Sequence, residues 1–547
     1  MHALISASTP RTKNTIRVGA NVMVYTRKNP ALLILGIILL AHGFLIAGGY
    51  MGGVQKYLNI ARAAGEMTNF SYIFGAIAVV VGLWHWLGSH KEGNLDYYLS
   101  SVAGAFFVLF VAMIVKWYLD PWVGTLSRAV GPVIPGGRFI HDVFGLNYVV
   151  LGIVAGMIIV NVFRIPDWAQ NGVRLSRLGL KTGVILLGTL YSLAELANLG
   201  RLSAVMIGVF VLGSAGLVLM IGAQRKISNS MGGVLAAGVG VCGVSAAVAA
   251  APVVRARSEE IAYTIGTILV FGVICMFIFP VVGHTLNMGY IQFGAWAGTG
   301  ILNSAQVAGA ALAFQPTGIE TLKVAEIFNI TRVLFLPIIV LWLAVWYVRR
   351  ETAAGATGIQ QVDTTRVIFE KFPVFVLGFI LMFALSSTGI FAPAQHYQGR
   401  YFDNTRVAAA QMLNDREVAT LRTESAKLQR ESQKSALGRL IENKKLMSID
   451  DDDVLRGVVN SGVLSRDANA ALRKAHNAVY HTAPMIRAFR DWITWLFAFG
   501  LTGLGMQITM AAMRQAGGEP LIIGSTVGIA KAVLSLIIVL LFVRETI

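Results

Sequence analysis

The 547-residue chain is 55% hydrophobic and only 13% charged, with a mean hydropathy of +0.66; this excludes an ordinary soluble protein and puts most of the chain in lipid. A formal charge of +17 and a pI near 9.9 would suggest nucleic acid in a soluble chain, but here Lys and Arg gather in loops flanking apolar runs. That is orientation by cytoplasmic positive charge, so no nucleic-acid partner is expected.

About thirteen stretches approach the ~20 mainly apolar residues that a spanning helix needs. They centre on 31–50, 70–88, 98–118, 143–162, 178–196, 203–222, 230–253, 261–283, 291–314, 323–348, 372–391, 488–510 and 520–543. Arg11, Lys13, Arg17, Arg27 and Lys28 precede the first run, which extends from Ala31 to about Gly49 without a small-residue cleavage pattern. It reads as an uncleaved helix with a cytoplasmic tail, a signal peptide being the alternative. With the amino end inside, Arg164, Arg174, Arg177, Arg225, Lys226, Arg349, Arg350 and Arg514 also fall inside. The loop with Arg255, Arg257, Glu259 and Glu260 runs against that rule. The expected location is the bacterial inner membrane, multi-pass in the lipid bilayer.

Two distant segments share a pattern, GTLYSLAELANLG from Gly188 and GMQITMAAMRQAG from Gly505. Ser192 pairs with Thr509, Leu193 with Met510, Ala194 with Ala511, Leu196 with Met513 and Asn198 with Gln515. One helix upstream, VVLGIVAGMIIVN ending at Asn161 resembles FVLGFILMFALSS ending at Ser387. The span count gives the two copies opposite directions, an inverted repeat of the kind that builds alternating-access transporters. Chance similarity among apolar helices is the competing reading.

The stretch GGVLAAGVGVCGVSAAVAAAPVVRA, 232–256, holds Gly238, Gly240 and Gly243. Each glycine destabilises a helix by roughly 1 kcal/mol relative to Ala, so the cluster predicts an interruption whose backbone faces a cavity. GAWAGTGILNSAQVAGAALAF, 294–314, has the same character, and setting Gly240 on Gly300 superposes the two. Two broken helices with converging amino ends would suit an anion; close packing through small residues is the alternative. Gly240, Cys242, Gly243, Ser245, Gly300, Asn303, Ser304 and Gln306 are the candidate substrate contacts.

VAEIFNITRVLFLP follows, where Asn329 and Arg332 share a helical face. Intramembrane charge is a functional candidate by default, so Asn329 and Arg332 join the candidate contacts, with Glu326 and Lys531 as charge partners. Snorkelling to the interfaces is the other fate open to Arg332, Glu326 and Lys531. Lys181 and Glu195 read as interfacial.

Residues 395–486 are polar and mixed in charge, with helix-forming runs. Asp450 to Asp453 after Ser448 reads as an acidic helix start; the ligand alternation of a calcium loop is absent. Cys242 and Cys275 lie in apolar helices and mark neither a disulfide framework nor a metal cluster, so no metal is expected.

VCGVSAAVAAAPVVRARSEEIAYTIGT, FGAWAGTGILNSAQVAGAA and NITRVLFLP together resemble the sulfate exporter family of bacterial membrane proteins, the YeiH-like group, over about 144–542 without the polar insert. The resemblance implies a ten-helix core with inverted repeats and crossed broken helices, similar to bile-acid-transporter and sodium/proton-antiporter folds. Family members commonly carry His and an acidic residue where this chain has Leu302 and Asn303, and Lys where it has Asn329. That departure bears on any proton-coupled step.

The fold class expected is therefore an all-α polytopic membrane protein, an inverted-repeat transporter core with two broken helices plus a small helical insert. Its expected parts are extra helices over 1–130, the core over 131–394 and 487–547, and an extramembrane, periplasmic insert over 395–486. The expected function is secondary transport, in the direction of export, of a small anion such as sulfate, sulfite, an organosulfonate or a carboxylate. Coupling to Na+ or H+ is left open, no cofactor is expected, and a homodimer is compatible. The alternative is a receptor whose core binds a ligand while the insert engages a partner. An enzyme is not expected, since no H-E-x-x-H or G-x-S-x-G motif occurs.

Overall fold

A computed structural model describes residues 15–18, 21–24, 29–87, 94–131, 139–143, 146–191, 193–315, 319–353, 374–397, 400–461, 463–514 and 517–543. Arg11, Lys13, Arg27, Lys28 and Ser192 lie outside the described residues. Apart from a hairpin of two four-residue strands, Thr15–Val18 against Asn21–Val24, the described chain is nearly all helical.

The described residues form two compact units, one comprising the chain up to Ile185, Ala194–Leu377 and Ile493 onward, the other Leu186–Leu193 and Gly378–Trp492. In chain order the helices are α1 (Ala31–Ala47), α2 (Gly52–Leu58), α3 (Ala64–Leu87), α4 (Asn94–Ile114), α5 (Asp120–Val130), α6 (Ile140–Val143), α7 (Tyr148–Ile158), α8 (Gln170–Leu187) and α9 (Leu193–Gln224). Then come α10 (Asn229–Gly240), α11 (Val244–Ala250), α12 (Ser258–Thr285), α13 (Tyr290–Gly300), α14 (Ser304–Phe314), α15 (Glu320–Leu334) and α16 (Leu336–Ala353). After α17 (Val374–Ser387) and α18 (Ala394–Tyr397) the insert contributes α19 (Asp415–Glu424), α20 (Glu431–Asn443), α21 (Ile449–Ser461) and α22 (Arg466–Ala478). The chain ends with α23 (Pro484–Gly505), α24 (Met510–Arg514) and α25 (Gly518–Phe542).

Each apolar stretch expected from the sequence falls on one helix or on two end to end. Among the described residues six helices are long and apolar enough to cross a membrane, and α1 with α2, bent by 86°, would make a seventh. Of the roughly thirteen candidate stretches, two of them expected to be interrupted, six thus carry single helices of spanning length among the described residues. Several stretches are divided by breaks or end short, as with Tyr148–Phe163 and Val374–Ser387. Large apolar side chains stand exposed along these helices, Phe44, Val205, Leu377 and Leu541 among them. Water would not tolerate so much contiguous apolar surface, and lipid does.

α1 and α3 meet through glycines: a Cβ on Gly82 would stand 2.5 Å from the Leu33 amide nitrogen. Without a hydrophobic drive between helices in lipid, such backbone approach supplies the packing energy. The insert is built as a water-soluble domain is. Val407, Leu421, Leu437, Leu440, Val458, Leu472 and their neighbours form one buried apolar cluster. The acidic start expected at Asp450 opens α21, with Ser448 Oγ accepting from the Asp451 amide at 3.1 Å.

Candidate functional site

Both glycine-rich stretches are interrupted. α10 stops at Gly240 and α11 starts at Val244; α13 stops at Gly300 and α14 starts at Ser304. The register that sets Gly240 on Gly300 therefore also sets one helix start on the other. Gly243 caps α11 with φ +79° and ψ −124°, a conformation that a side chain makes costly. Asn303 caps α14, its Oδ1 accepting from the Ala305 amide at 3.3 Å.

The two interruptions touch. A Cβ on Gly243 would lie 3.1 Å from Asn303 Cα and equally close to Ile268 of α12. α12 also receives the second broken helix, because Gln306 packs against Gly272 and its Nε2 donates to the Leu269 carbonyl at 3.4 Å. Ile268 and Gly272 fall within about one turn of the centre of the 27-residue apolar span Glu259–Thr285. The contact between the two breaks sits near the middle of that helix.

Each first half-helix ends in carbonyls that α-helical geometry leaves without partners. A different buried cation meets each end. Lys531 Nζ donates to the Val239 and Gly240 carbonyls at 3.1 and 3.2 Å, and Arg332 Nη1 donates to the Ile301 carbonyl. Arg332 Nη2 reaches Asn329 Oδ1 at 3.0 Å, and Asn329 Nδ2 donates onward to Glu326 Oε2 at 3.0 Å. Arg332 is 0% exposed and Lys531 3%, so neither snorkels. Lys531 lies beside the centre of its own span, Gly518–Phe542.

The other candidates divide. Gly240, Cys242, Gly243, Gly300, Asn303 and Ser304 belong to the two breaks and the helix ends that flank them. Ser304 Oγ, Gln306 Oε1 and Arg332 Nε are buried polar atoms without a hydrogen-bond partner, as are the hydroxyls of Thr264 and Thr267 on α12. The two threonines were not expected from sequence, since nothing in an apolar helix marks them. Ser245 stands exposed on α11, and Gln306 is turned into α12. A groove of about 300 Å³ beside Trp342, Val345, Trp346, Arg349 and Arg350 shares no residue with the two breaks; Trp and Arg at a helix end suit a membrane interface.

Residues 133–429 match the family model described as Conserved hypothetical protein 698. A UPF0324 membrane protein of Nitratidesulfovibrio vulgaris is 32% identical over 460 residues, covering 83% of this chain and 98% of the relative. This chain belongs to the UPF0324 membrane protein family. A second UPF0324 membrane protein of that organism is 37% identical over 281 residues, 51% of this chain and 77% of the relative. A UPF0324 membrane protein of Bordetella bronchiseptica is 32% identical over 259 residues, 45% and 76% of the two chains. No solved structure matches. The UPF0324 name states membrane residence and gives no substrate, so membership supports a multi-pass membrane protein and does not extend to sulfate export. The match to the family model contains both breaks and Arg332, while Lys531 lies beyond it.

Proposed function

We propose that this UPF0324 protein is a secondary transporter of a small anion in the bacterial inner membrane, working by alternating access. The observation that carries the reading is the contact of the two breaks, Gly243 on Asn303, at mid-depth of a spanning helix. A break there exposes peptide groups that hydrocarbon would not tolerate, and such backbone belongs beside a substrate cavity. The charge balance gives the sign. Helix ends carry about half an elementary charge, positive at the amino end and negative at the carboxyl end. Lys531 and Arg332 offset the negative ends of α10 and α13, which leaves the positive ends of α11 and α14 to face a ligand.

Sulfate, sulfite, an organosulfonate or a carboxylate fits such a site by size and charge. The backbone at 240–243 and 300–303 would hold it, with Ser304 Oγ and Arg332 Nε as unpartnered donors. Helix phase removes Ser245 from the contact set, and Gln306 acts through packing. The inverted repeat is supported by register: Leu193 starts α9 five residues after Gly188, and Met510 starts α24 five residues after Gly505. The ties run crosswise, the apolar helix before each copy bonding to the break of the other copy. Asn161 Nδ2 donates to the Ile508 carbonyl at 3.0 Å, and Ser386 Oγ donates to the Thr189 carbonyl at 2.9 Å.

The test is flux in proteoliposomes with labelled sulfate, sulfite, an organosulfonate and a carboxylate, under anion, Na+ and pH gradients imposed separately. Saturable movement of at least one anion is expected, lost in Gly243→Leu. If no anion moves under any gradient, or if Gly243→Leu keeps its flux, the proposal fails.

A further inference from the structure

The insert holds a cluster unrelated to the helix breaks. Asp452 lies in the first turn of α21, His476 in the last turn of α22, and His481 one residue beyond the bridge that pairs Tyr480 with Asp403. His476 Nδ1 stands 2.8 Å from Asp452 Oδ1, and His481 Nε2 stands 2.9 Å from Oδ2. The two rings are 4.5 Å apart, and one ligand atom from each of the three residues fits within 4.8 Å. The carboxylate is 1% exposed while the imidazoles are 33% and 29% exposed. The group thus opens to solvent on the histidine side only. Burial works against ionisation of Asp452, yet hydrogen bonds from His481 and His476 hold its carboxyl below the usual range.

We propose that Asp452, His476 and His481 form a binding site for a divalent transition metal, of which Zn2+ is the representative. Ca2+ and Mg2+ take oxygen shells, whereas two imidazoles and one carboxylate suit Zn2+, Ni2+ or Co2+. Zinc bonds nitrogen and carboxylate oxygen at about 2.0–2.2 Å, so neighbouring ligand atoms of a tetrahedral site stand about 3.3 Å apart. Asp452 Oδ2 faces both nitrogens, His476 Nδ1 at 3.0 Å and His481 Nε2 at 2.9 Å, and each separation needs to open by about 0.3–0.4 Å. On binding, the proton now shared with the carboxylate moves to the other ring nitrogen, or leaves to solvent from an imidazolium, and the freed lone pair takes the metal. Three protein ligands leave the fourth position to water on the exposed side. The metal would join the start of α21, the end of α22 and the strand-like segment after it. This site stands on the insert and is independent of the transport reading.

The experiment uses the full chain in detergent, stripped with a chelator, then titrated with Zn2+ by calorimetry and with Co2+ by visible absorption. One equivalent is expected, with the intense d–d bands of four-coordinate Co2+ and a rise in the melting temperature of the insert. His476→Gln with His481→Gln should weaken binding by more than roughly 100-fold, beyond what loss of an outer-shell partner costs. Asp452→Asn leaves a buried group without its charge partner and risks unfolding, so the histidine variants carry the test, with circular dichroism as a check on folding. Should the double variant not fold, His481→Gln alone must still abolish the Co2+ bands. An equivalent of Zn2+ that persists in the folded variants places the metal elsewhere on the chain and overturns the proposal, as does a wild-type chain that shows no four-coordinate Co2+ spectrum.

Discussion

The paired helix breaks and the insert handle charge in opposite ways. At the breaks two cations are buried almost completely, and each donates to the carbonyl end of a helix. In the insert the cations stand half in water and pair with carboxylates, Arg439 with Asp451 at 3.1 Å and Lys474 with Glu417 at 2.8 Å. The difference follows from the solvent. In lipid an unpaired charge or carbonyl has no water to turn to, so a broken helix and a buried cation stabilise each other. In water the same charges gain little from one another, because hydration competes with every pair.

That contrast is open to measurement, beginning with the largest effect. Arg332→Leu deprives the Ile301 carbonyl and Asn329 of their donor, at about 1–3 kcal/mol for each buried acceptor. A marked fall in the detergent melting temperature is expected, and a variant as stable as wild type would break the comparison. Gly243→Ala comes next. Its φ of +79° and the 3.1 Å approach to Asn303 Cα make a cost of about 1–3 kcal/mol the expected outcome, read in the same melting assay.

The third effect is confined to the insert. The Ser465 amide and hydroxyl hold Glu424 below the usual carboxylate range, as the Thr405 hydroxyl and amide hold Asp403. Groups with depressed folded-state values contribute fully above the ordinary carboxylate pKa of about 4. The contribution is lost as pH falls through the folded values. Pepsin should therefore cut within 400–484 faster at about pH 3 than at about pH 4.5, after correction for its own pH profile; unchanged cutting would count against the assignment. The smallest effect is Lys474→Ala, which should cost about 0.2–1 kcal/mol. A loss matching that of Arg332→Leu would show that the two regions do not differ as described.

The breaks were legible because glycine leaves a local signature. Gly238, Gly240 and Gly243 crowd one stretch and Gly294, Gly298 and Gly300 the other, and neither needs another residue to weaken its helix. The partners of the breaks were not legible. Lys531 is 292 residues away in sequence from the Val239 carbonyl it meets, and nothing local to STVGIAKAV names that target. The direction of Ser245 was not legible either, because the break resets helix phase and its direction depends on where α11 restarts. Asp452, His476 and His481 were passed over for a related reason. The Asp450–Asp453 run reads as a helix start, and the histidines lie 24 and 29 residues further on.

The sequence by itself determined membrane residence, the positions of the helices, the two interruptions and the polar insert, because hydropathy, glycine content and capping act over a few residues. Tertiary structure alone decided that the interruptions touch, which cation meets which carbonyl, and which carboxylate stands between two imidazoles. Those contacts join residues far apart in the chain, and only the packing of whole helices brings them within hydrogen-bond reach.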